Sequence, residues 1–202
     1  NEVIAEILDY FELFENVIIT GSFLEIGFDF KDIDVLLITD KNLKTGNIKS
    51  HFGRKYGVNL HIIIISFKSL LRGLSTDPLF QMMLSKFVSK KRAIFKIKNE
   101  INYKLLDLHL LKSKALIDNF YFLSGREKYS LVRNLIAIKL FLGNKKISIE
   151  TLNRGIDYYF GKGTAANTKE NVLGKEFLGN YKKIYDEIFK EILDGIKSGS
   201  KQ

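Results

Sequence analysis

TGSFLEIGFDFKDIDVLLI, residues 20–38, joins a Gly-Ser pair to two aspartates separated by one isoleucine, and then to an unbroken apolar run. The run reads as a buried strand. Side chains alternate faces along a strand, so Asp32 and Asp34 project from one face and Ile33 from the other. Two carboxylates on one face repel, and the mouth of a buried strand strips part of their hydration, so they need a compensating charge. A divalent cation supplies it, and Mg²⁺ prefers one or two carboxylates together with water and phosphate oxygens. Gly21-Ser22 fits the same chemistry. It follows the short apolar strand VIIT, and glycine lets backbone amides approach a phosphate while serine adds a donor. The alternative is an ordinary strand edge whose aspartates cap a turn.

Outward from this stretch, EVIAEILDYFELFE (2–15) places Val3, Ile4, Ile7, Leu8, Phe11 and Phe14 on one helical face. Residues 40–57 carry three glycines among polar residues and predict a short helix between loops. VNLHIIII (58–65) is a strong β-branched strand. Asp77-Pro78 reads as a helix start, with Asp as cap and Pro at the first helical position. RAIFKIK (92–98) alternates apolar and basic residues and predicts an edge strand. Beyond residue 99 the period becomes helical over 101–123, 126–142, 149–160 and 177–197. In the last segment Tyr181, Ile184, Ile188, Ile192 and Ile196 form a stripe. The expected architecture is α+β, with a small mixed-sheet domain over 1–98 and an all-helical bundle over 99–202.

The bulk composition sets the outer limits. With 202 residues and no low-complexity tract, the chain can bury a core. Apolar runs such as 62–65 are far too short to cross a bilayer, so no membrane partner is expected. Cysteine is absent, which excludes disulfides and thiolate metal sites and fits a reducing cytoplasm. The formal charge is +9, which favours polyanions such as RNA or nucleotides. Lys86, Lys90, Lys91, Arg92, Lys96 and Lys98 cluster in KFVSKKRAIFKIK with no acid among them, and Lys86, Lys90, Lys91 and Arg92 are the candidate nucleic-acid contacts.

The order apolar strand, Gly-Ser, nine residues, Asp-apolar-Asp-apolar resembles the signature of the nucleotidyltransferase superfamily. The likeness is greatest to the minimal nucleotidyltransferases and to antibiotic nucleotidyltransferases with a helical C-terminal domain, and it covers roughly residues 17–98. It implies that Gly21 and Ser22 hold nucleotide phosphates. It implies that Asp32 and Asp34 bind Mg²⁺ or Mn²⁺ and assist transfer of a nucleoside monophosphate from an NTP, ATP foremost, onto a hydroxyl of RNA such as tRNA, of protein or of a small molecule.

The chain also departs from that family. A third carboxylate is expected on a neighbouring strand, but VNLHIIII has no acid, and His61 stands where it is expected. Histidine can accept a proton or bind a metal; the alternative is a histidine satisfied in the core. No arginine follows Gly-Ser within Phe23-Leu24-Glu25-Ile26-Gly27. These departures sustain a second reading, a nucleotidyltransferase-fold protein with weakened catalysis that binds nucleotide or RNA as a regulatory module. Among other candidates, His51 reads as solvated and His109 as a helix-surface or interface residue. GKGT (161–164) reads as a loop, and no histidine follows Arg133 to suggest ribonuclease chemistry.

Overall fold

The computed structural model describes residues 2–12, 14–24, 32–41, 45–92 and 97–199. They divide into two compact units. The first spans residues 1–75 and 83–98, and the second spans 76–82 and 99–202.

The first unit is built on a four-stranded mixed sheet. Helix α1 (Glu2–Tyr10) leads into β1 (Asn16–Thr20), a short 3-10 turn (Ser22–Leu24) and β2 (Asp32–Ile38). Then come α2 (Gly46–Tyr56), β3 (Asn59–Ile65) and α3 (Phe67–Thr76), while β4 (Phe87–Ser89) returns later in the chain. The strand order is β3-β2-β1-β4. β2 runs parallel to β3, and β1 is antiparallel to both β2 and β4.

Alternation along the strands sorts the two faces. Val17, Ile19, Ile33, Val35, Leu37 and Leu60 share a core with Ile7 and Phe11 at one end of the chain and Ile48 and Phe52 of α2. Each fully buried Ile, Leu or Val contributes about 1.5–3 kcal/mol. On the opposite face of β2, Leu36 and Ile38 are buried, Asp34 is half-buried and Asp32 is exposed. This face therefore climbs out of the core toward its N-terminal end, and the aspartates occupy the part that reaches water. Helix α2 stops at Gly57, whose φ of +66° suits glycine and whose N–H bonds the Gly53 carbonyl at 3.1 Å. That cap aims the chain directly into β3.

The second unit is helical. It contains all but the last residue of α4 (Pro78–Met83), and α5 (Tyr103–Asn119), α6 (Gly125–Leu142), α7 (Ile149–Phe160), α8 (Thr164–Lys169) and α9 (Lys175–Gly199). No strand occurs among its described residues. Ser124 and Glu127 form a reciprocal capping box at the start of α6. In the α9 stripe Tyr181, Ile188 and Ile192 are buried, and the Tyr181 hydroxyl donates to the Ser113 carbonyl at 2.9 Å.

Several expectations need correction or fall elsewhere. GKG (161–163) is a turn, as expected of this stretch, and only Thr164 lies in a helix. The turn leads into α8, because Thr164 bonds back to the Phe160 and Gly161 carbonyls and the Asp157 carboxylate accepts from the Ala165 N–H. The edge strand is Phe87–Ser89, and the expectation of a strand over 92–98 falls largely on 93–96, outside the described residues. The Asp77 helix start is present: Asp77 Oδ1 accepts from the N–H groups of Leu79 and Phe80 at 2.8 and 3.1 Å. No helix among the described residues is long and apolar enough to cross a membrane.

Candidate functional site

Strand register brings the separated motif residues together. Asp34 on β2 is paired with Thr20 on β1 and with His61 on β3. Asp32, one step nearer the strand end on the same face, is paired with Asn59. Parallel neighbours in register share a face, so His61 meets Asp34 directly: its Nδ1 lies 3.0 Å from Asp34 Oδ1. His61, expected either as a third functional group or as a core histidine, is not in the core. Its side chain is 65% exposed and that of Asp34 is 33% exposed, so the pair opens to solvent.

The other oxygen of Asp34 is defined by glycine. Gly21 has φ +95°, a conformation that costs other residues steric strain. A β-carbon built there would stand 2.3 Å from Asp34 Oδ2. Only glycine lets the carboxylate rest against this backbone. The turn then closes as Ser22–Leu24, with the Leu24 N–H bonding the Gly21 carbonyl at 3.1 Å. Gly21, the Ser22 backbone, Asp34 and His61 thus occupy one corner of the sheet.

Two contributors to this corner were not visible in the motif. Thr20, fully buried, turns its hydroxyl to the carbonyls of Met83 and Lys86, the latter at 3.0 Å. This ties the approach to β4 against the end of β1. Lys86 in turn donates from Nζ to the Leu24 carbonyl, so its ammonium sits on the Gly21–Leu24 turn. The rest of the basic cluster behaves differently. Lys90 pairs with Glu12 at 3.7 Å, and the Lys91 backbone is held by the Asn16 side chain. Lys91 and Arg92 are exposed. An open depression without acids, lined by Asn47, Lys49, Ser50, Gly53, Arg54 and Asn59, lies beside the register partner of Asp32.

Among the described residues, no three His, Cys, Asp or Glu side chains converge as a metal cage. An open pair of carboxylates fits Mg²⁺ or Mn²⁺, which keep waters and take substrate oxygens, rather than a closed structural site. Asp32 and Asp34 are the residues that would hold it.

The structure corrects His51 and gives His109 the second of its two expected placements. His51 is half-exposed but not merely solvated, since its Nε2 is 2.8 Å from Glu6 Oε1. Lys55 and Tyr56 bond the same carboxylate. Lys55, then Tyr56 and His51, hold the Glu6 carboxyl down at about 2. His109 is an interface residue rather than one on the open surface of its helix. Its side chain is 11% exposed, and Nε2 lies 3.0 Å from Asp77 Oδ1. Comparison with family models, with curated proteins and with solved structures found no match to this chain.

Proposed function

We propose that the first unit is a Mg²⁺-dependent nucleotidyltransferase that moves a nucleoside monophosphate from an NTP to a hydroxyl acceptor. The observation that carries the reading is the junction of Gly21 and Asp34, where a positive-φ glycine and a carboxylate from another strand meet with no room for a β-carbon. A turn-capping aspartate needs no such glycine. A site that must bring phosphate oxygens and a carboxylate-bound cation together does.

The roles follow from position. Backbone amides of the Gly21-Ser22 turn receive phosphate oxygens. Asp32 and Asp34 hold the cation, which when bound neutralises phosphate charge. Asp34 Oδ1 accepts from His61 Nδ1–H in the tautomer that this contact favours. His61 Nε2 is then the acceptor for the proton of the attacking hydroxyl. The hydroxyl oxygen bonds to the α-phosphorus, and the bond from that phosphorus to the pyrophosphate oxygen breaks. The formal charge of +9 and the acid-free depression beside Asn59 favour an anionic acceptor, RNA foremost.

The second reading, a nucleotide- or RNA-binding regulatory module, draws on one observation: a histidine stands beside Asp34 where the resemblance implies a third carboxylate. One experiment separates the two. The protein is incubated with each α-labelled NTP, Mg²⁺ and total RNA or protein acceptors, and thermal shift is measured with the same nucleotides. Labelled acceptor supports transfer. A Mg²⁺–NTP shift without labelled product supports the regulatory module, and in that case His61→Asp, which completes the acid set, is expected to raise transfer or metal affinity.

A further inference from the structure

We propose that Lys86 binds the outer phosphates of the NTP, those that leave as pyrophosphate; this assignment rests on the nucleotidyltransferase reading.

Strand order sets the geometry. β1 lies between β2 and β4. Gly21 follows the last residue of β1, with Asp34 on the β2 side. On the β4 side the last ladder pair is Thr20 with Phe87, and one step beyond it stand Gly21 and Lys86. The glycine turn is therefore flanked by a carboxylate on one side and an ammonium on the other.

The lysine is exposed, but it is held at both ends. Its own carbonyl accepts from the buried Thr20 hydroxyl, and its Nζ donates to the Leu24 carbonyl that ends the same turn. One ammonium proton is spent on Leu24, leaving two for a ligand. Lys86 pairs with no carboxylate among the described residues, whereas Lys90 of the same cluster is spent on Glu12.

The division of labour follows from charge. A polyphosphate seated on the Gly21-Ser22 turn has its reacting end toward Asp34 and the cation that Asp32 and Asp34 would hold. Its far end reaches away from Asp34, where two or three negative charges need a separate positive partner. Lys86 is the ammonium placed there. A lysine is a compact point charge suited to this task. The departing pyrophosphate gains charge as its bond to the α-phosphorus breaks, so the same contact strengthens as the leaving group forms.

The test compares Mg²⁺–ATP, Mg²⁺–ADP and AMP binding to the wild-type protein, Lys86→Met and Lys86→Arg, by titration calorimetry, with sodium pyrophosphate as competitor. In the wild type, affinity is expected to rise with phosphate number. In Lys86→Met that gradient should flatten, with ATP weakened tenfold or more, AMP unchanged and pyrophosphate competition lost. Lys86→Arg should restore most of it. A purely structural lysine would lower thermal stability and weaken all three nucleotides alike, and that pattern overturns the proposal. Wild-type affinity for Mg²⁺–ATP retained in Lys86→Met also overturns it while leaving the nucleotidyltransferase reading intact. Absence of Mg²⁺–ATP binding in the wild type overturns both. Loss of affinity for a short oligoribonucleotide in Lys86→Met, with the nucleotide gradient unchanged, assigns the lysine to the acceptor instead and overturns the proposal.

Discussion

Among the described residues, two Asp–His pairs have the same 3.0 Å separation and opposite surroundings. Asp34–His61, at the end of the sheet in the first unit, has side chains 33% and 65% exposed. Asp77–His109, in the helical unit, has side chains 24% and 11% exposed. Asp77 spends its carboxylate locally, accepting from two backbone amides at the start of α4. The His109 ring nitrogens are buried, and Nε2 meets Asp77 Oδ1 without the alignment of a full hydrogen bond. Asp34 instead has one oxygen on an open imidazole and the other against a glycine. The same two residue types thus do different work. The closed pair joins the start of α4 to α5, whereas the open pair leaves its outward atoms to solvent.

The comparison breaks first at the closed pair. Asp77→Ala removes a helix cap and strands a buried histidine, so it should cost about 2–4 kcal/mol. Denaturant unfolding measures this, and nucleotide binding should be unaffected. A loss under 0.5 kcal/mol would mean that the pair is not structural. Burial pushes the Asp77 carboxyl up, but the adjacent imidazole and the two backbone N–H groups outweigh it, leaving a net depression. A depressed carboxyl contributes stability above its unfolded value near 4. That contribution is lost as the pH falls through the lower folded value, so the helical unit should weaken below about pH 4.

A smaller stability effect sharpens the open pair. Gly21→Ala should cost about 1–2 kcal/mol through its positive φ. The intruding methyl group displaces a mobile carboxylate rather than backbone, so the larger consequence is functional. Mg²⁺-dependent nucleotide binding should fall even where the protein remains folded at working temperature. Equal loss of binding in Asp77→Ala and Gly21→Ala would erase the distinction between the pairs.

The smallest effect is expected at Glu6. The cluster with Lys55, Tyr56 and His51 links α1 to α2 away from both pairs. Its depressed carboxyl contributes stability above about 4.5, lost as the pH falls toward 2. Glu6→Gln should therefore lower the melting temperature slightly at neutral pH and converge with the wild type near pH 2, as followed by circular dichroism.

The residues explain why some of this was legible in the sequence. β2 and β3 announce themselves through uninterrupted β-branched and leucine runs, and the period of two assigns Asp32 and Asp34 to one face without further information. Asp77-Pro78 marks a helix start because cap and φ are local properties. The partners of these residues are not local. His51 finds Glu6 45 residues away, and Thr20 finds Lys86 66 residues away. No periodicity encodes such contacts. His109 reads only as a helix-surface or interface residue, because its helical neighbours do not reveal Asp77. The six-residue α8 carries no local signal, because it begins at a positive-φ Gly163 and depends on Asp157 from the preceding helix.

The central claim is that the open pair is held ready for a cation–nucleotide complex. Titration of Mg²⁺–ATP into the wild-type protein and Asp34→Asn, with the apo melting temperature of each recorded in parallel, tests it most directly. The account predicts saturable, Mg²⁺-dependent binding in the wild type and none in Asp34→Asn. The variant's apo stability should be equal or higher, because removing one of two neighbouring negative charges relieves repulsion. A stable Asp34→Asn protein that binds Mg²⁺–ATP as the wild type does would contradict the account.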